Sequence, residues 1–175
     1  MSVSLNKGDR VELSKDSRVN AVSVCLGWDT AKYDDDGDFD LDASVFVIGK
    51  NGMTRRDEDF IFYNNLQHPS GGITHSGDNL TGGGDGDDEV IKVVLNKLPK
   101  YAEKVVFCVT IHEAERRMQN FGMVENSFIR VVDDNTGREI ARYDLKEKFG
   151  DSTAIIAGEI YRDGSGWKFH AVGDL

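Results

Sequence analysis

Apolar and polar residues alternate in many short segments along the chain. Residues 22–28 show the pattern clearly, with Val22, Val24, Leu26 and Trp28 at every second position. A period of two places alternate side chains on opposite faces of a β-strand, so that one face can be buried. We predict about ten strands, from the segments 3–5, 11–13, 22–28, 41–48, 60–63, 90–95, 105–111, 128–132, 139–145, 155–161 and 167–172.

Turn sequences separate these segments, and helical patterns are scarce. The run Lys50-Asn51-Gly52 is a hairpin signal, and Asp133 to Gly137 is another turn signal. Residues 112–121 are the best helix candidate, and residues 146–149 could form a turn. Strands at this spacing are typical of sandwiches. We therefore predict an all-β fold, a two-sheet β-sandwich with one or two short helices, in a single domain over residues 1–175.

Composition places the chain among globular proteins. Hydrophobic residues make up 39% and charged residues 30%, which is unlike a disordered chain. No apolar run approaches the ~20 residues needed to cross a bilayer, and the first residues lack the apolar stretch of a secretory signal. Cys25 and Cys108 lie within apolar runs, so we expect reduced core residues and a cytoplasmic protein.

The negative charge is concentrated in two places. The formal charge of −10 argues against a nucleic-acid partner. The first acidic segment, residues 29–42, has seven aspartates and a net charge of −6, and the second, residues 78–89, has a net charge of −5. The remaining residues together carry +1. Both acidic segments connect predicted strands, so we interpret them as inter-strand loops.

Carboxylates crowded in this way suit a hard cation. Two carboxylates ~5 Å apart repel by ~3 kcal/mol at an effective dielectric constant near 20, so converging segments would need positive charge between them. Calcium accepts six to eight oxygen ligands in flexible geometry, whereas magnesium keeps more water. The segments contain no cysteine, which disfavours zinc or copper. The competing interpretation is that such runs are simply solvated loops.

Six motifs follow one another along the chain. They are Gly27-Trp28-Asp29, Phe39-Asp40-Leu41-Asp42-Ala43-Ser44, Phe62-Tyr63-Asn64-Asn65, His75-Ser76-Gly77-Asp78-Asn79-Leu80-Thr81-Gly82, Gly84-Asp85-Gly86-Asp87-Asp88-Glu89 and Phe128-Ile129-Arg130-Val131-Val132-Asp133. Together they resemble the motifs of the TerD-domain family, whose members are linked to tellurium resistance, and the resemblance spans nearly the whole chain. It implies an intracellular bacterial β-sandwich that binds calcium, as two neighbouring ions, and contributes to tellurite and general stress resistance. It also implies no established enzymatic activity.

The resemblance implies a set of calcium ligands. These are Asp29, Asp40, Asp42, Asn64, Asp78, Asp88 and Glu89, to which Asn79, Asp85 and Asp87 are added. Many family members have a glutamate where this chain has Gly83, so one ligand is missing here. The other aspartates of the first acidic segment, 34, 35, 36 and 38, are expected to form a solvated rim. We interpret His75 as a solvated loop residue, with indirect support of the Asp78 loop as the alternative, and Trp28 as a core residue that supports the site.

Three functions are compatible with this sequence. We expect a calcium-binding module in which Ca²⁺ orders the acidic loops and presents a surface to other stress-system proteins, some of them membrane-bound. Peripheral association with the inner face of the membrane would follow from such partners. The first alternative is a two-metal phosphoesterase, which would need cations near the site, where only Lys32, His68 and His75 lie close in sequence. The second is calcium-dependent membrane docking; direct lipid binding is not expected but stays open.

Overall fold

The chain folds into two packed β-sheets. The computed structural model describes residues 3–13, 20–28, 41–54, 57–62, 65–75, 89–111, 127–145, 153–164 and 166–174. The strands in these ranges are β1 (Val3–Leu5), β2 (Arg10–Glu12), β3 (Ala21–Gly27), β4 (Leu41–Ile48), β5 (Phe60–Ile61), β6 (Ile73–His75), β7 (Glu89–Val94), β8 (Lys104–Ile111), β9 (Phe128–Asp133), β10 (Glu139–Asp144), β11 (Ala154–Asp163) and β12 (Gly166–Asp174). Two short 3₁₀ turns occupy Asp57–Asp59 and Leu95–Lys97.

Each sheet has six of these strands. Sheet A has the order β1-β10-β9-β3-β7-β6, and sheet B has the order β2-β12-β11-β8-β4-β5. The described pairs are antiparallel except for β1, which runs parallel to β10. Because strands distant in sequence are neighbours in both sheets, most of the fold depends on long-range pairing.

The hydrophobic core lies between the two sheets, as the period-two pattern predicts. In β8, Val105, Phe107 and Val109 are buried, whereas Lys104 on the opposite face is exposed. In sheet A, strand β3 buries Val22, Val24 and Leu26 in the same core. Burying one such side chain contributes ~1.5–3 kcal/mol, so the alternation itself specifies which face of each strand packs inward.

The sequence-based prediction of a two-sheet β-sandwich is confirmed. The strand β6, Ile73–His75, was not predicted, because it contains one apolar residue, whereas the predicted three-residue strands 3–5 and 11–13 each contain two in alternation. The helix candidate at 112–121 and the turn candidate at 146–149 lie outside the described residues. Both cysteines are free, Cys25 buried and Cys108 half-buried. Across the described ranges, no helix is long and apolar enough to span a membrane.

Candidate functional site

The strands that flank the two acidic segments have the ends that face those segments close together. The first acidic segment follows β3, and the second lies between β6 and β7. At its carboxyl end, β3 pairs Leu26 with Glu89, the first residue of β7. The end of β6 is close by, because His75 pairs with Ile91 of β7. Three of the four strand ends that flank the acidic segments therefore lie on adjacent strands of sheet A.

The fourth end, at the start of β4, belongs to the opposite sheet. The backbone N–H of Ala43 donates a hydrogen bond of 2.6 Å to Glu89 Oε2. The carbonyl oxygen of Ala43 lies 2.9 Å from His75 Nε2. These two contacts join the sheets at the strand ends that flank both acidic segments. We call this region, formed by residues 26–28, 41–43, 75 and 89, the acidic end of the sandwich.

Ala43 uses both of its main-chain polar groups in these contacts. In the described part of sheet B, β5 pairs with β4 only at Val45 and Phe46. The β4–β5 pairing therefore does not reach Ala43. The side chains of Glu89 and His75 contact its main-chain groups instead. Buried main-chain groups need such partners, because leaving one unsatisfied costs free energy comparable to a lost hydrogen bond.

Glu89 is an unusual residue for the inside of a sandwich. Its side chain is 1% exposed, and it shares the inner face of β7 with Ile91 and Val93. Burying a charged carboxylate is costly unless other groups compensate its charge. The Ala43 N–H supplies a hydrogen bond to one oxygen, and the other oxygen, Oε1, is buried as well.

Asp42 adjoins this contact through the chain. It alternates with the buried Ala43 and pairs with Thr110 of β8, so it belongs to the other face of β4. Its Oδ1 is nevertheless buried. Two carboxylates with buried oxygens thus come from facing sheets at one end of the fold. Oxygen donors of this kind fit a hard divalent cation such as calcium.

Asp42 and Glu89 are the predicted ligands that lie in the described part of the chain. The other eight, Asp29, Asp40, Asn64, Asp78, Asn79, Asp85, Asp87 and Asp88, lie outside the described residues. Among the described side chains alone, no group of three or more His, Cys, Asp or Glu residues is close enough to hold a metal ion. The complete ligand set therefore stays a prediction.

The interpretation of His75 as a solvated residue is wrong. The side chain is 3% exposed and contacts the Ala43 carbonyl across the sandwich. Its position on β6 explains the burial, because it shares the inner face of that short strand with Ile73. Had β6 been predicted as a strand, the alternation of Ile73 and His75 on one face would have indicated that His75 is buried. The expectation that Trp28 is a core residue is confirmed, since it is also 3% exposed.

A second buried polar network has the residue types of a hydrolytic triad. His68 Nε2 lies 2.8 Å from Asp59 Oδ1, and His68 Nδ1 lies 2.9 Å from Ser70 Oγ. However, the N–H groups of residues 70, 71 and 72 donate to His68 Nδ1, the His68 carbonyl and Ser70 Oγ. Because this turn uses its own donors, they are not available to stabilise an oxyanion. The network supports the turn before β6.

The outer face of sheet B carries a shallow groove of about 700 Å³. Ile48, Val106 and Ile156 contribute apolar surface, and Glu159 lies 3.0 Å from His170 and 3.8 Å from Lys104. The groove adjoins Ile48 at the opposite end of β4 from Ala43. It is therefore separate from the acidic end.

Comparison with known proteins agrees with the family resemblance. The TerD domain model matches residues 1–174. Tellurium resistance protein TerD of Serratia marcescens is 53% identical over 174 residues, covering 99% of this chain and 90% of the relative. General stress protein 16U of Bacillus subtilis (strain 168) is 52% identical over 174 residues, with coverage of 99% and 90%. The crystal structure of a homologue of telluride resistance protein (TerD) from Streptomyces coelicolor A3(2) has a TM-score of 0.72 and 26% identity, covering 90% of both chains. The chain belongs to the TerD domain family.

Proposed function

We propose that this protein is a calcium-binding module of a bacterial stress and tellurite-resistance system. In this proposal Ca²⁺ orders the two acidic segments, and the ordered segments present a surface to partner proteins of the same system. The observation that carries the proposal is the meeting of the four flanking strand ends at the acidic end, where the main-chain N–H of Ala43 donates a hydrogen bond to Glu89. The names of the relatives support the stress and tellurium context.

In this arrangement calcium would offset the repulsion between the carboxylates of the two acidic segments. The two acidic segments carry −11 between them, and the strands that flank them end at the same end of the fold. Each pair of carboxylates brought to ~5 Å costs ~3 kcal/mol at an effective dielectric constant near 20. A divalent ion bound among them replaces repulsion by attraction. Ion binding is therefore coupled to the conformation of the segments, which is how occupancy could control a docking surface.

We propose that the protein has a binding role and no enzymatic activity. A phosphoesterase would need cationic groups that meet the phosphate of its substrate. His75 Nε2 is engaged with the Ala43 carbonyl, and His68 lies between Asp59 and Ser70. Lys32, the third candidate, lies outside the described residues. The strong negative charge of the acidic segments also opposes an anionic substrate, which supports a binding role.

Calorimetric titration of calcium into the wild type, Asp42→Asn and Asp134→Asn tests the proposal. Asp42→Asn keeps the shape of the side chain and removes one charge at the acidic end. Asp134→Asn is the matched control, because Asp134 is an aspartate in the turn after β9 that pairs with Lys92. We expect about two ions per wild-type chain, an affinity at least about tenfold lower for Asp42→Asn, and no change for the control.

Two results of the titration would contradict the proposal. Absence of calcium binding by the wild type would remove it altogether. Equal weakening by both substitutions would mean that calcium responds to the overall charge of the protein and not to a site at the acidic end. A parallel titration with magnesium should give weaker binding, because magnesium gives up its water reluctantly.

A further inference from the structure

The main chain of Ala43 is held from sheet A by two side chains that neighbour each other. His75 pairs with Ile91, and Glu89 lies two residues before Ile91 on the same inner face of sheet A. Such diagonal neighbours are ~7–8 Å apart at their Cα atoms, which matches two contacts to the N–H and the C=O of one residue. A carbonyl oxygen only accepts hydrogen bonds, so His75 Nε2 carries the proton in this contact.

The three residues lie at the boundaries of the acidic segments. Ala43 directly follows the first segment, Glu89 ends the second, and His75 lies three positions before the second segment begins at Asp78. A movement of the peptide groups of Ala43 therefore changes the position of Asp42 relative to Glu89. His75 is not an oxygen donor, and its Nε2 is engaged with the Ala43 carbonyl.

We propose that His75 is a positioning residue that links the two acidic segments by holding Ala43 against sheet A. This inference rests on the proposed function, because its consequence is measured as calcium affinity. With the bond from Nε2 in place, Asp42 and Glu89 are held in the arrangement that binds the ion. Without the bond, ion binding must also order this boundary, so the affinity falls. Groups that orient metal ligands typically change metal affinity by 10–100-fold.

The test compares calcium affinity in His75→Leu, His75→Gln and His68→Leu with that of the wild type. We expect His75→Leu to bind calcium at least about tenfold more weakly. His75→Gln retains an N–H donor at similar reach and should restore most of the affinity. His68→Leu removes another histidine that is 5% exposed but lies in the network with Asp59 and Ser70. It should lower stability and leave calcium affinity unchanged.

Urea unfolding of each variant with and without calcium separates positioning from stability. A purely structural role would make both His→Leu variants less stable to a similar extent in chelator, with unchanged calcium affinity. That result, or equal affinities for wild type and His75→Leu, would overturn the inference and leave the proposed function intact. If the wild type binds no calcium, both fail together. If His75→Leu does not fold, His75→Gln decides the question. Because His75→Gln keeps an N–H donor, calcium binding weaker than that of the wild type or of His68→Leu would contradict the hydrogen bond as the cause.

Discussion

At the scale of single residues, the backbone at Gly173 leaves almost no room for a side chain. Its φ of +64° lies in the left-handed region, and an added Cβ would overlap the hydroxyl group of the buried Tyr143. We expect Gly173→Ala to lower the free energy of unfolding by about 2–5 kcal/mol, combining backbone strain with overpacking. Gly137 has a φ of +75° with nothing within 4 Å of its Cβ position. Gly137→Ala should therefore cost only the backbone strain of about 1–2 kcal/mol.

Urea denaturation of the two alanine variants provides the comparison. Equal losses of stability would mean that Tyr143 moves aside without cost. A larger loss for Gly173→Ala would confirm that packing against Tyr143, and not the positive φ alone, requires glycine there.

Cys108 allows a test of burial on the outer face of sheet B. Burial raises the pKa of its thiol to about 11, from an ordinary value of 9.0. Because only the thiolate reacts with alkylating reagents, we expect iodoacetamide at pH 8 to modify Cys108 about 100-fold more slowly in the folded protein than in urea. The folded-state rate should keep rising up to about pH 11. Peptide mass spectrometry distinguishes Cys108 from Cys25, and equal rates in both states would contradict the prediction.

At the level of strands, Asp134 connects three elements on the outer face of sheet A. It lies in the turn after β9, accepts a hydrogen bond of 2.8 Å from Ser23 of β3, and lies 3.0 Å from Lys92 Nζ of β7. The hydrogen bond from Lys92, and then that from Ser23, lowers the pKa of Asp134 below its ordinary 3.8. The folded state therefore prefers the charged form. The contribution of charged Asp134 to stability is present above pH 3.8 and is lost as the pH falls through the lowered pKa of the folded state.

Asp134→Asn should consequently show a pH-dependent loss of stability. The pair is exposed enough for solvent to screen it, so we expect a loss of no more than about 1 kcal/mol at pH 7. The difference from the wild type should shrink below pH 3.8 and in high salt. Urea denaturation at several pH values measures it. A difference that stays constant into the acid range would show that shape, and not charge, is responsible.

Strand positions could be predicted from the sequence, but strand partners could not. The alternation in residues 41–48 gives the bounds of β4 and shows that Val45 and Val47 face the core. Nothing in that pattern indicates that β4 lies between β8 and β5, because any strand with one apolar face could pair there. Strand β6 was missed for a different reason, since Ile73 is its one apolar residue and the preceding run Pro69 to Gly72 is typical of a turn.

At the scale of the whole molecule, the site could be predicted only in part, because strand partners and sheet packing cannot be derived from the sequence pattern. The acidic segments stand out because charge can be counted directly in the sequence. Glu89 was recognised as a ligand candidate, but its bond to the Ala43 N–H could not be foreseen, because every residue except proline has such a group. The burial of His75 depends on β6 and on the packing of sheet A against sheet B. A feature built from main-chain atoms and sheet packing leaves little signal in a single sequence.

The distribution of charge predicts how the stability of the whole protein responds to salt. The two acidic segments account for all of the net charge of −10, and the strands that flank them meet at the acidic end. In chelator, raising NaCl from about 0.01 M to about 1 M shortens the Debye length from ~30 Å to ~3 Å, so the melting temperature should rise. Calcium at 100-fold excess over its Kd should raise the melting temperature by about 5–10 °C and reduce this dependence on salt.

A variant with Asp34, Asp35 and Asp36 all replaced by Asn separates general repulsion from ion binding. These aspartates are the predicted rim of the first acidic segment and not predicted ligands. We expect the variant to depend less on NaCl in chelator but to show the same calcium-induced rise as the wild type. If the variant loses the calcium effect, the rim residues must be assigned to the site. If the melting temperature of neither protein responds to salt or calcium, repulsion between the segments does not limit stability, and calcium does not stabilise this end of the fold.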